Sequence, residues 1–301
     1  MSCIIIWMSI LYLTHLLNGL LMIAMPVVLG ILLTRKFHLG WRLWWIGAAT
    51  FVLSQVVHIP FNLLILNPFL REKFPAGQGD KSALLITAIA LGLSAGVFEE
   101  VGRYLAYLFW AKDARSWRKG VLMGAGHGGI EAVILGGLVL LAYTQLVALR
   151  DSDLISRVPQ EQLALLQNQI QIYWSLPWYD TLLGALERFF TLFFHISASV
   201  IVLQVFLRRQ IRWLWVAILW HAILDAAAVY AISTWGTYAA EALIGVSALL
   251  SLGIILALRS PEPLEEEPAS PAPLPELVNP QHLEQVEITP AKLDDTRYNP
   301  S

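Results

Sequence analysis

The chain reads as an all-α, polytopic membrane protein: a transmembrane helical bundle of about seven helices. Two compositional facts and one pattern predict this. Of its 301 residues 57% are hydrophobic and only 14% charged, with a mean hydropathy of +0.61, whereas soluble domains are about a quarter charged. Twelve Trp and twelve Phe suit aromatic belts at membrane interfaces. Apolar runs long enough to cross about 30 Å of hydrocarbon, roughly 20 residues each, recur seven times. They fall near residues 4–33, 43–66, 83–110, 120–149, 181–207, 212–234 and 237–258. Inside hydrocarbon each span must satisfy its own backbone polar groups, which requires helices.

The first run has no basic leader and is too long for a signal-peptide core, so it reads as a retained helix. Arg35, Lys36 and Arg42 follow it; Lys112, Arg115, Arg118 and Lys119 follow the third span; Arg208, Arg209 and Arg212 follow the fifth. The alternate connections hold Arg71, Lys73, Lys81, Arg150 and Arg157, and the last hairpin holds none. The positive-inside rule then places the N-terminus outside and the C-terminus in the cytosol of a plasma membrane. Residues 67–82, with Pro and Gly, read as an irregular loop. Residues 159–170, PQEQLALLQNQI, have near-helical apolar spacing and suit a helix lying flat on the outer surface. Residues 1–259 thus form the transmembrane domain. Nine of the 15 prolines and the run Glu265, Glu266, Glu267 fall in residues 260–301, a composition expected of a disordered cytosolic tail.

Net charge of −2 gives no electrostatic support to nucleic-acid binding. The single cysteine, Cys3, excludes an intramolecular disulfide framework and a CxxC metal site. What remains is the ionisable content of the spans, each such residue being costly at mid-bilayer and a functional candidate for that reason. Span 3 carries Glu99, Glu100 and Arg103; span 4 carries His127 and Glu131; span 5 carries Glu187, Arg188 and His195; span 6 carries His221 and Asp225. At 1.5 Å per residue most of these fall in one layer, roughly 10–20 Å below the cytosolic surface. Glu99/Arg103, His127/Glu131 and His221/Asp225 are i,i+4 pairs, each on one helix face. Arg103 reads as the partner of Glu99 in a structural ion pair, and Glu187 and Arg188 as lying outside the layer. His15 and His58, alone on apolar spans, read as packing residues.

HExxH is absent, which argues against the common zinc intramembrane hydrolases. Gly92-Leu93-Ser94-Ala95-Gly96 matches GxSxG, but within an apolar helix it reads as small-residue packing rather than a nucleophile elbow. The buried carboxylates and imidazoles instead suit a general base and oxyanion donors in a water-poor site.

FEEVGR in span 3, GHGGIE in span 4, FFHISAS in span 5 and WHAILD in span 6 resemble the successive motifs of the YhfC family of membrane peptidases. That family is similar to PrsW-type proteases and, more distantly, to the type II CAAX prenyl proteases of the CPBP superfamily. The resemblance covers residues 83–235. It implies a glutamic-type intramembrane protease acting on a membrane-associated protein or peptide, with no cofactor. Glu99 and Glu100 match the catalytic pair, one as general base. His195 would hold the water, His221 and Asp225 the developing oxyanion, and His127 and Glu131 occupy the second motif. The CAAX-type FxxxH spacing is missing, since Thr191 precedes His195 by four and Met123 precedes His127; no prenyl substrate is implied. His127, His195, His221 and Glu99 would alternatively suit Zn²⁺. A non-catalytic scaffold or chaperone and a His/Glu-lined transporter are the competing readings, and the lack of paired broken helices weighs against the transporter.

Overall fold

The computed structural model describes residues 2–75, 80–150 and 159–261. Helices account for its regular structure, and no strand occurs among the described residues. In chain order they are α1 (Ser2–Phe37), α2 (Arg42–Phe61), α3 (Asn67–Lys73), α4 (Lys81–Phe109), α5 (Trp117–Arg150), α6 (Gln160–Ser175), α7 (Leu183–Leu207), α8 (Arg212–Trp235) and α9 (Thr237–Ala257). Among the described residues, seven segments are long and apolar enough to cross a membrane: Ile10–Phe37, Arg42–Lys73, Lys81–Phe109, Trp117–Leu149, Asp180–Leu207, Arg212–Trp235 and Thr237–Ala257. These coincide with the seven expected runs, and exposed aliphatic residues such as Leu64, Leu138 and Leu249 line the bundle's perimeter.

Small residues set how closely the helices approach, as expected where lipid offers no hydrophobic drive for association. Gly126 of α5 lies against the Trp44 carbonyl of α2, and Gly47 of α2 against the Met123 carbonyl of α5, so a Cβ at either would collide with backbone. Gly124 and Gly128 admit α7 at Ile196 and His195. Gly92 and Gly96 of α4 meet the carbonyls of Ala222 and Ile218 on α8. The GxSxG match is therefore a packing seam. Helix α7 is central, its Ala198, Val200, Val202 and Leu203 fully buried, and α2, α4, α5 and α8 surround the polar layer described below.

One connection departs from the sequence expectation. Residues 67–73, read as part of an irregular loop, are helical: a π-helical segment, Asn62–Leu66, leads from α2 directly into α3. Pro60 lacks the N–H that would continue the regular ladder, and the wider turn absorbs the fault. Pro68 sits at the start of α3, where its missing donor costs nothing. Asp80 caps α4, its carboxylate accepting from the backbone N–H groups of Ser82 and Ala83 at 2.9 and 3.1 Å. Helix α6 forms as expected and runs on to Ser175; His15 of α1 stacks on its Tyr173 with ring centroids 3.9 Å apart. The expected tail from residue 262 onward lies outside the described residues.

Candidate active site

Four helices deliver the ionisable side chains to one buried layer, and the structure sorts them into two neighbouring groups. The first is built on Glu99 of α4. Its Oε1 accepts from Gln55 Nε2 of α2 at 2.8 Å, and its Oε2 lies 3.0 Å from His127 Nε2 of α5. His195 of α7 stands beside His127, ring centroids 5.1 Å apart. Its Nε2 is 2.6 Å from Glu131 Oε2, and Glu131 is also paired with Arg188, which in turn pairs with Glu187. Phe51 closes against the His127 ring edge-on.

The second group is built on Glu100. It and Arg103 are fully buried and ion-paired with each other, and its Oε1 receives Nδ1 of His221 at 2.8 Å. His221 then presents Nε2 toward the first group, 3.9 Å from Glu99 Oε2 and 3.6 Å from Asp225 Oδ2. Phe194 packs edge-on against the His221 ring.

The partner choices differ from those the helix spacing implied. Arg103 pairs with Glu100, at i,i+3, and not with Glu99. Helix phase explains it: Glu100 turns into the interface with α8, where His221 waits, while Glu99 faces α2 and α5. His127 and Glu131 share a face but do not bond each other; each reaches across to another helix. Arg188, placed outside the layer by its depth, enters it because a long guanidinium stem spans the difference to Glu131. His58 is hydrogen-bonded at both ring nitrogens rather than merely packed. Gln55 and Asn62 went unnoticed as uncharged residues. The available signal was that 55, 58 and 62 fall on one face of an otherwise apolar span.

The donor set fits a divalent metal ion. Ligand atoms of Glu99, His127 and His195 lie within 4.8 Å of one another. Nδ1 of His127 and Nδ1 of His195 are buried without a hydrogen-bond partner. With Nε2–H directed at Glu131, His195 keeps its lone pair on Nδ1; His127 can share an ion with Glu99 only through Nε2, the nitrogen that faces Glu99. A carboxylate that fixes the far nitrogen of a ligating His is a recurrent feature of zinc sites, and Glu131 stands in that relation to His195. His221, the fourth residue expected of a zinc set, has committed Nδ1 to Glu100 and lies outside the triad.

Comparison with known proteins agrees with this picture. The profile of the family described as YhfC intramembrane metalloprotease matches residues 21–248, which takes in every helix that contributes to the site. The chain is 29% identical over 223 residues to the uncharacterized membrane protein YhfC of Bacillus subtilis (strain 168), covering 71% of this chain and 82% of that protein. No solved structure matches the chain. The protein is a multi-pass membrane protein and belongs to the YhfC intramembrane metalloprotease family.

Proposed function

We propose that the protein is an intramembrane peptidase that hydrolyses a peptide bond of a membrane-associated protein, with Glu99 acting on the attacking water. The observation that carries this is the position of Glu99. Its carboxylate, held by Gln55 and His127, lines a groove of about 680 Å³ between α2 and α5. The groove's other walls are largely apolar and include Phe51, Val52, Val56, Ile134 and Leu138, so it offers an apolar peptide segment a route to a buried carboxylate.

The roles follow from the contacts. Glu99 aligns the water and takes its proton. Glu131, itself paired with Arg188, holds the His195 ring through Nε2 and leaves its buried Nδ1 without a hydrogen-bond partner. Glu100 is the anchor of His221 and not the base, since it is fully buried, ion-paired with Arg103, and does not line the groove that Glu99 does. His221 gives Nδ1–H to Glu100, so it serves a developing oxyanion from Nε2 as the imidazolium, between Glu100 and Asp225. In the alternative, metal-dependent reading, Glu99, His127 and His195 would hold a divalent ion such as zinc, which would supply Lewis-acid activation of water, and Glu99 would then be a ligand rather than the base.

The test is a comparison of new protein N-termini in cells expressing wild type or Glu99→Gln at equal levels. Cleavages at or beside membrane spans, present only with wild type, are expected. Identical N-terminomes from two folded, inserted proteins would overturn the peptidase reading in favour of a non-catalytic scaffold.

A further inference from the structure

A line of four polar side chains runs from the α2–α4 interface to Glu99, and of these only Gln55, which holds the carboxylate, has been given a role above. Ser94 Oγ donates to Asn62 Oδ1 at 2.7 Å. Asn62 Nδ2 lies 2.9 Å from His58 Nε2, His58 Nδ1 lies 3.2 Å from Gln55 Oε1, and Gln55 Nε2 donates to Glu99 Oε1 at 2.8 Å. The hydrogen-bonding inventory leaves one consistent direction. Glu99 as a carboxylate only accepts, so Gln55 must turn its amide N–H₂ toward it and its carbonyl toward His58. His58 must then carry its proton on Nδ1 and accept at Nε2, which is what the Asn62 amide offers. Asn62 in turn has its carbonyl free for the Ser94 hydroxyl. Every donor points toward Glu99.

Such an arrangement is expensive to build for packing alone. His58 and Ser94 are buried, and His58 is stacked on Phe98 with centroids 5.3 Å apart. Apolar residues there would spare the desolvation of four polar groups in a membrane span. Asn62 also begins the π-helical segment, a local irregularity often found at functional positions.

We infer that Ser94, Asn62, His58 and Gln55 are positioning residues: a directed hydrogen-bond chain that pins Oε1 of Glu99 and so turns Oε2 toward His127 and the reacting centre. The inference rests on the proposed role of Glu99, and its test has one arm that is independent of catalysis. In the first arm, the carboxylate stretching bands of Glu99 are isolated as the infrared difference between the wild-type protein and Glu99→Gln, both full-length in detergent. His58→Leu, which interrupts the chain at similar volume, is expected to shift those bands. His58→Gln, whose amide can accept and donate as the ring does, is expected to restore them.

In the second arm, cleavage of a substrate identified from the cellular comparison is followed kinetically. His58→Leu is expected to lower kcat about ten- to hundredfold, the usual cost of losing an outer partner of a reactive centre, with KM nearly unchanged. His58→Gln should recover most of kcat, and Ser94→Ala should lose less than His58→Leu. Added to Gln55→Ala, His58→Leu should cost nothing further, because one chain is already broken. Unshifted bands in a folded His58→Leu protein would overturn the inference whatever the protein's activity proves to be. So would a loss of kcat that His58→Gln shares in full. Absence of cleavage in the wild type, with the bands shifting as described, would instead count against the peptidase reading and leave the chain's action on Glu99 established.

Discussion

At the scale of single residues, the adjacent glutamates are separated by helix phase into two environments. Consecutive side chains on an α-helix diverge by about 100°, so Glu99 meets α2 and α5 while Glu100 meets α8. Glu100 is locked in a buried ion pair with Arg103. Removing one member of such a pair strands the other as an uncompensated charge. Arg103→Ala is therefore expected to cost about 3–5 kcal/mol of stability, read as a lowered unfolding midpoint of the detergent-purified protein. The double change Arg103→Met with Glu100→Gln should recover much of that loss, since replacing both charges removes the desolvation debt. Sequence spacing identified Arg103 as half of an ion pair but named the wrong glutamate. Positions at i,i+4 and i,i+3 share a helix face almost equally well, and the choice was made by His221 on another helix.

At the scale of elements, the boundaries legible in sequence were those fixed by hydrophobic length. The less legible segment was the end of span 2, where residues 67–82, with Pro and Gly, read as an irregular loop. The chain instead passes from α2 through a π-helical turn into α3, a solution that depends on Asn62 and His58 finding each other and on α4 alongside. Asp80, within the stretch read as irregular loop, caps the start of α4. Hydrogen bonds from the Ser82 hydroxyl and from the Ala83 and Ser82 amides hold the Asp80 carboxyl below its usual range. A group with a depressed folded-state pKa contributes stability above its unfolded value and loses it as pH falls through the folded one. The first turn of α4 should accordingly fray only below about pH 4, seen as faster amide exchange at Ser82 and Ala83. In Asp80→Asn, exchange there should not depend on pH beyond its intrinsic rate.

At the scale of the whole molecule, seven spans place the ends of the bundle on opposite sides of the membrane, and the basic residues cluster at one of those ends. Arg42 pairs there with Asp113 at 2.9 Å, Lys119 donates to the Asp113 carbonyl, and Arg115 and Arg208 lie over Phe206 and Trp213. By the positive-inside rule this end is expected to be the cytosolic one. Alkaline phosphatase fused after residue 261 should then be inactive, while a fluorescent protein fused at the same point should glow; an active phosphatase would reverse the topology. The depth argument from sequence gathered most of the polar layer because depth needs only a span boundary and a rise per residue. It did not give the cross-helix partners, which depend on the close contacts of Gly47 with Met123, of Gly126 with Trp44, and of Gly92 and Gly96 with Ala222 and Ile218, that set how α2, α4, α5 and α8 approach.

The central claim is that this layer hydrolyses a peptide bond with water handled by Glu99. It is tested most directly with the purified full-length chain in proteoliposomes, a membrane protein substrate taken from the cellular comparison, and water enriched in oxygen-18. Hydrolysis at this centre predicts fragments whose new C-terminal carboxyl carries oxygen-18, formed by wild type and absent with Glu99→Gln and with His195→Ala. Equal, labelled cleavage by folded Glu99→Gln would contradict the account.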